Sequence, residues 1–227
     1  MIITFLTSLF GFSKFSVNAA PQDAGVKDAK GIRAPDRCPV LLVHGIIDDS
    51  RSMTWISRHL AATGREVHAL DLKPRTARDG LQPLAEQVAA FEAKTFPAGQ
   101  KFDLVAFSMG GIVSRIYLQR LGGLDRVRRF VTISSPHRGT MLASFARGKG
   151  AREMRPRSPL LLDLASDAER LRSVGFTSIY TPLDLVIFPA SSSQVPQAKT
   201  IRVWSVLHPL MIVQPSALRA VAAALEE

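Results

Sequence analysis

A serine stands where an apolar stretch gives way to two glycines. Residues 102 to 107 are almost wholly apolar, as in a parallel strand buried on both faces, and Ser108 follows directly in the order A-F-S-M-G-G. A helical spacing of apolar residues begins after the glycines. Such a tight strand-to-helix turn admits only small neighbours, and Ala106 and Gly110 lie two residues to either side. The pattern predicts that Ser108 is a nucleophile at the carboxyl end of a strand, beside a helix N-terminus that favours developing negative charge.

The pentapeptide A-F-S-M-G is weak support by itself, because alanine, serine and glycine are common residues. Its position between a buried strand and an apolar-faced helix is what favours a catalytic role for Ser108 over a chance match.

A serine hydroxyl needs a base, and a histidine whose second nitrogen is held by a carboxylate meets that need. Only two histidines follow Ser108, His137 and His208. His208 follows the last predicted strand, where the chain order serine, acid, histidine places the base, whereas His137 comes too early. Asp184 lies between Ser108 and His208, in the turn T-P-L-D after the penultimate strand. We therefore predict Ser108, Asp184 and His208 as nucleophile, orienting acid and general base.

Ordinary interpretations of the same residues stay open. Asp163 and Asp167 also lie between the serine and the histidine, although on a predicted surface helix. An aspartate in such a turn is often only a turn former, and a histidine after a strand is often only a polar edge residue.

The tetrahedral intermediate of acyl transfer needs two N–H donors for its oxyanion. Met109, directly after the nucleophile, supplies one by position. The second is predicted to be the N–H of Ile46, in the loop that follows the first strand and its His44-Gly45 pair. Both roles belong to the backbone.

Strands and helices alternate along the chain in a way that predicts an α/β fold, with a mostly parallel sheet covered by helices on both faces. The predicted strands are residues 39–43, 66–72, 102–107, 129–134, 177–180 and 200–206. The predicted helices include residues 53–62, residues 81–95, a helix from Pro159 through Leu171 and a helix that starts at Pro215. The first of them is predicted to be capped by Ser52 and to have Trp55 on its inner face. Residues of about 141–175 form a cap-like insert.

The chain has 227 residues, and we interpret residues 38–227 as one domain. Residues 1–20 are interpreted as a signal peptide or a short membrane-docking segment, with a misassigned start codon as the third interpretation. Residues 21–37 are interpreted as a linker. This arrangement predicts an exported or membrane-associated protein, or a cytoplasmic one if the segment is not a signal. The single cysteine, Cys38, rules out an intramolecular disulfide.

The net charge of +10 is interpreted first as a solvated basic face. The second interpretation is attraction to an anionic surface such as a phospholipid membrane, besides the expected small-molecule or lipid ester substrate. No nucleic-acid-binding motif accompanies the charge, so nucleic acid is not an expected partner.

The motifs V-H-G, A-F-S-M-G-G, S-S-P-H-R-G-T and T-P-L-D, with a late histidine, resemble those of the α/β-hydrolase superfamily. Within it the chain is similar to small bacterial triacylglycerol lipases and lipase-like esterases, from about Pro39 to Leu225. The resemblance implies the α/β-hydrolase fold and hydrolysis of a carboxylic ester through an acyl-enzyme, with no metal or organic cofactor. It also implies that His44, Gly45 and His137 line the substrate site.

Other functions on the same scaffold stay open. A thioesterase, an amidase or an acyltransferase would use the same three side chains, and a non-catalytic α/β-hydrolase homologue would serve as a binding protein.

Overall fold

The computed structural model of the protein describes residues 37–227. The signal or docking segment predicted for residues 1–20, and the linker apart from Arg37, lie outside the described residues. The domain boundaries therefore stay predictions. Among the described residues, no helix is both long enough and apolar enough to cross a membrane.

Six strands form one sheet in which every neighbouring pair is parallel, so the predicted α/β architecture is confirmed. Their order across the sheet is β2-β1-β3-β4-β5-β6. The strands are β1 (Val40–Val43), β2 (Val67–Leu70), β3 (Phe102–Phe107), β4 (Val127–Ile133), β5 (Gly175–Tyr180) and β6 (Lys199–Arg202).

Helices cover both faces of this sheet. They are α1 (Thr54–Ala61), α2 (Gln82–Thr95), α3 (Met109–Arg120), α4 (Lys149–Glu153), α5 (Pro159–Ser166) and α6 (Pro215–Glu226). Short 3₁₀ turns occupy Ser50–Met53, Gly123–Asp125, Met141–Phe145, Ala168–Ser173, Ala190–Ser193 and His208–Ile212.

The apolar core divides into two layers, one on each side of the sheet. Leu41 and Val43 of β1 face the layer beneath α2 and α3, whereas Val40 and Leu42 face the layer beneath α1 and α6. This alternation follows from the two-residue period of a strand. Because β1 is buried on both faces, its residues are all apolar, and this continuous apolar run is the pattern from which the strand was predicted.

The strand order reverses between β1 and β3, since the chain passes from β1 to β2 on one side and returns to β3 on the other. In sheets of this kind such a reversal at the carboxyl edge is where ligands usually bind. His44 and Gly45 follow β1 and Ser108 follows β3, so these residues meet at that edge.

Two details of the first predicted helix are wrong. The first helix is preceded by a 3₁₀ turn capped by Asp49 rather than Ser52, because the Asp49 carboxylate accepts the N–H of Arg51. The Trp55 side chain is 54% exposed, so it does not lie on the inner face of α1.

The helix predicted through Leu171 also ends early, at Ser166, and a 3₁₀ turn follows. The Asp167 carboxylate at the break accepts hydrogen bonds from Gln119 and Arg120 of α3, and these contacts hold the end of the helix against α3. The insert packs on α3 through Leu161 and Leu164. Its role as a cap stays a prediction.

Candidate active site

Ser108 adopts a backbone conformation that side chains other than glycine rarely take, with φ 54° and ψ −124°. Such a conformation costs about 1–3 kcal/mol and is typical of functional sites. The sharp turn raises the hydroxyl above the end of β3 while α3 begins at the next residue.

The two glycines after Met109 permit this turn because a side chain at either position would clash. A Cβ on Gly110 would lie 2.6 Å from the carbonyl oxygen of His44, and one on Gly111 would lie 2.1 Å from Ser135 Oγ. The close approach of α3 to the ends of β1 and β4 is therefore possible only with this glycine pair.

Asp184 and His208 are hydrogen-bonded to each other, with 2.8 Å between Asp184 Oδ2 and His208 Nδ1. The second carboxylate oxygen accepts the backbone N–H groups of Val186 and Ile187, each at 2.9 Å. Neighbouring strands β5 and β6 bring the two residues together, because Asp184 lies in the loop after β5 and His208 begins the 3₁₀ turn after β6. The Asp184 carboxylate thus fixes the orientation of the imidazole.

The His208 ring also packs against Phe107, the residue that precedes Ser108, with 4.7 Å between the ring centroids. This contact positions the imidazole beside the turn that carries the serine. His208 and Ser108 are both largely buried, at 7% and 5% exposure.

The pKa of Asp184 lies below its ordinary value. Burial acts to raise this pKa, but the hydrogen bond from His208, the charge of that ring and the N–H of Ile187 outweigh it. Asp184 is therefore ionised at neutral pH and available to stabilise a positively charged His208.

His44 fixes the loop that holds Gly45 and Ile46. Its Nε2 accepts the N–H of Leu72 at 2.9 Å, so the ring proton is on Nδ1, which donates to the Gly45 carbonyl oxygen at 2.8 Å. The ring is fully buried between these partners. His44 thereby joins the loops after β1 and β2 and holds Gly45 in place; the substrate-binding role predicted for it stays a prediction.

Gly45 lies close to the nucleophile, since a Cβ on it would lie 3.2 Å from Ser108 Cβ. Within residues 37–227, neither the N–H of Ile46 nor that of Met109 has a hydrogen-bond acceptor. Both N–H groups are therefore free to donate to a partner in this part of the chain, and their role as oxyanion donors stays a prediction.

The His137 ring contacts side chains of β4 and β5. Its ring is 2% exposed, its Nε2 is 3.0 Å from Thr132 Oγ1, and it packs edge-on against Phe176. Burial and then the charge of Arg115 lower the pKa of His137 well below its ordinary value, so the ring is neutral at physiological pH. The substrate-binding role predicted for His137 stays a prediction.

Asp48 is a residue of the site that the sequence analysis did not select. Its Oδ2 lies 3.2 Å from the point that a Gly45 Cβ would occupy, the same distance as Ser108 Cβ. Burial is the main reason that the pKa of Asp48 lies above its ordinary value, and Asp49 adds to it, while the nearby His44 and His208 rings and the Arg75 guanidinium act in the opposite direction. Its only sequence signal was its position, three residues after Gly45.

We expect Asp48→Asn to stabilise the fold at neutral pH. A carboxyl whose pKa is raised on folding disfavours the native state once it ionises, so the gain in Tm should be small near pH 4 and complete at pH 7. Asp49→Asn is the matched control, because Asp49 pairs with Arg51 and Arg75 and its pKa is lowered, so this variant should lose Tm at pH 7. A lower Tm for Asp48→Asn at pH 7 would contradict the assignment; thermal melts at the two pH values decide it.

Among the described residues, no three His, Cys, Asp or Glu side chains are grouped so that they could hold a metal ion. The chemistry that the arrangement supports comes from the serine hydroxyl, the imidazole and the backbone N–H groups.

Comparison with solved structures agrees with the fold. The mature lipase BlEst2 of Bacillus licheniformis superposes with a TM-score of 0.74 and 16% identity, over 90% of this chain and 99% of that one. Lipase B of Aspergillus fumigatus superposes with a TM-score of 0.71 and 19% identity, over 84% of this chain and 53% of that one. The expected α/β-hydrolase fold is thereby confirmed.

Sequence relatives include the human lysosomal thioesterase PPT2, 36% identical over 115 residues, which are 47% of this chain and 37% of that protein. A triacylglycerol lipase of Burkholderia plantarii is 31% identical over 120 residues, 49% of this chain and 33% of that protein. The match thus spans only about a third of the length of these relatives. The family model described as palmitoyl protein thioesterase matches residues 39–197. This match covers most of the chain, from β1 to the loop before β6, and the chain therefore belongs to the palmitoyl protein thioesterase family of the α/β-hydrolase superfamily.

Proposed function

We propose that the protein is a serine hydrolase that cleaves lipid acyl esters through an acyl-enzyme on Ser108. The observation that carries the proposal is the Asp184–His208 hydrogen bond, with the imidazole packed against the residue that precedes the strained Ser108. Family membership supports the acyl substrate class.

In the proposed reaction, His208 Nε2 takes the proton of Ser108 Oγ as that oxygen attacks the acyl carbonyl carbon. The oxyanion that forms accepts the N–H groups of Ile46 and Met109. His208 then gives the proton to the departing alcohol or thiol. Water, activated by the same imidazole, releases the fatty acid and restores the serine.

Thioester hydrolysis is the second candidate, and the family match favours it. The same groups serve both reactions, because the oxyanion hole binds the carbonyl oxygen and not the atom that leaves. A thiolate needs less protonation to depart than an alkoxide does. The preference of the enzyme for an oxyester or a thioester therefore depends on the residues that contact the alcohol or thiol portion of the substrate.

A matched set of substrates tests both candidates. Acyl thioesters of N-acetylcysteamine and the oxyesters of N-acetylethanolamine differ only in sulfur or oxygen, and each can carry a butyryl, octanoyl or palmitoyl chain. We expect hydrolysis of the set with kcat/KM rising with chain length, and a higher value for the thioester of each pair would assign a thioesterase. Failure to cleave any member, by protein that melts cooperatively, would contradict the proposed function.

A further inference from the structure

Six large apolar side chains are exposed in two segments near the candidate active site. Their exposed fractions run from 38% for Leu142 to 87% for Phe145. We call them the apolar patch: Met141, Leu142, Phe145, Leu183, Leu185 and Phe188.

Hydrogen bonds join the two segments into one surface. The N–H of Met141 donates to the carbonyl oxygen of Phe188 at 2.9 Å. Thr140 Oγ1 donates to the carbonyl oxygen of Val186 at 2.8 Å and accepts the N–H of Phe188 at 3.0 Å. The 3₁₀ turn Met141–Phe145 and the loop 183–188 are therefore held side by side.

The patch is continuous with the loop that carries the proposed catalytic acid. Leu183 and Leu185 are exposed on either side of the buried Asp184. A binding partner of the patch would therefore contact the carboxyl edge of the sheet, where Ser108 and His208 also lie.

Positive charge lies beside the Met141–Phe145 segment of the patch. Residues 138–157 contain six arginines or lysines and one acidic residue, Glu153. The Glu153 carboxylate accepts the N–H of Leu81 at 2.7 Å, while exposed Arg147 and Arg152 have no ion-pair partner within the described part of the chain. Helix α4 packs on the 3₁₀ turn of the patch, and Arg155 Nε donates to the carbonyl oxygen of Ala143 in that turn at 3.3 Å.

We propose that the apolar patch and its arginines dock the protein on an anionic phospholipid membrane, with the active-site edge of the sheet toward the lipid. Exposed apolar area of this kind on a basic surface fits a bilayer, which offers an acyl interior beneath negatively charged headgroups. Docking would place a membrane-held acyl chain next to Ser108. The docking itself does not depend on the proposed catalytic function.

The test is sedimentation of the full chain with sucrose-loaded vesicles of phosphatidylcholine, with and without 30 mol% (about one lipid in three) phosphatidylglycerol. We expect binding to the anionic vesicles that weakens as salt rises, since the arginine contribution is screened. Phe145→Ser/Leu185→Ser and Arg147→Glu/Arg152→Glu should each reduce the partition coefficient by about tenfold or more.

The control is Trp55→Ser/Arg58→Glu on α1. It removes one exposed aromatic side chain and reverses one exposed arginine on the opposite face of the sheet, and it should bind as the wild type does. Thermal melts verify that each variant is folded.

Wild-type binding by Phe145→Ser/Leu185→Ser, equal loss in the control, or no binding to anionic vesicles would overturn the proposal. So would a dimer in solution that the same apolar substitutions dissociate. None of these readouts uses turnover, so a failure here is separate from a failure of the hydrolase assignment.

Discussion

Replacing Ser108 with alanine should reduce kcat by about 10⁴-fold or more, because the variant lacks the oxygen that forms the acyl-enzyme. The fold should survive, since the smaller alanine side chain fits the same turn and the glycines that shape it are unchanged. Turnover of p-nitrophenyl butyrate and a thermal melt measure the two effects. The residual rate should be the small contribution of the oxyanion donors and substrate binding.

Ser114→Ala is the matched control for this loss. Ser114 is a fully buried serine of α3, and its hydroxyl has no hydrogen-bond partner among the described residues. The control should retain wild-type activity. If Ser108→Ala also retained it, Ser108 would not be the nucleophile.

Replacing His208 with alanine should cause a loss of similar size, about 10⁴-fold in kcat, since the serine would have no base and the leaving group no acid. Asp184→Asn should also be severely impaired, because an amide in place of the carboxylate can stabilise the wrong tautomer and cannot balance a positively charged imidazole. Steady-state kinetics on the same ester measure both variants.

His137 is the rival base, and His137→Ala should retain far more activity than His208→Ala. Its ring is hydrogen-bonded to Thr132 and packs against Phe176, whereas the Asp184 carboxylate is hydrogen-bonded to His208. A folded His137→Ala variant without activity, beside an active His208→Ala variant, would reassign the base to His137.

The inner strands β1 and β3 were predictable because burial on both faces gives a nearly continuous apolar run in the sequence. The bounds of β3 agree with the prediction. All six of its residues are buried, five of them are apolar, and the strand ends directly before Ser108. β6 was predicted too long, because the apolar residues after Arg202 continue the pattern into a loop where Trp204 and Val206 are exposed. Local pattern does not distinguish an apolar residue in an edge strand from one that faces solvent.

The chain order of Ser108, Asp184 and His208 could be taken from the sequence, and the last two are hydrogen-bonded in the structure. The supporting contacts could not be predicted, because they join residues far apart in the chain. His44 bonds to the N–H of Leu72, and Asp48 approaches Gly45 and Ser108 only after the loop has folded.

A buried ionic cluster at the other end of β3 shows the same limit. Asp103 is fully buried and pairs with Arg65 at 2.8 Å and Arg128 at 2.6 Å, and both arginines also donate to the carbonyl oxygen of Leu225. These bonds hold the end of α6 against the sheet. The sequence indicated only that Asp103 lies within an apolar strand. Its ion pairs could not be predicted, because the two arginines are 38 and 25 residues away in the chain.

Mass spectrometry of the protein after reaction with a fluorophosphonate tests the central claim most directly, because the reagent phosphonylates a serine that a base has activated much faster than an ordinary hydroxyl group. We predict a single adduct on the peptide that contains Ser108, formed about 100-fold more slowly or more in His208→Ala than in the wild type. An adduct on a different residue, or modification of Ser108 at the wild-type rate in His208→Ala, would contradict the proposed mechanism.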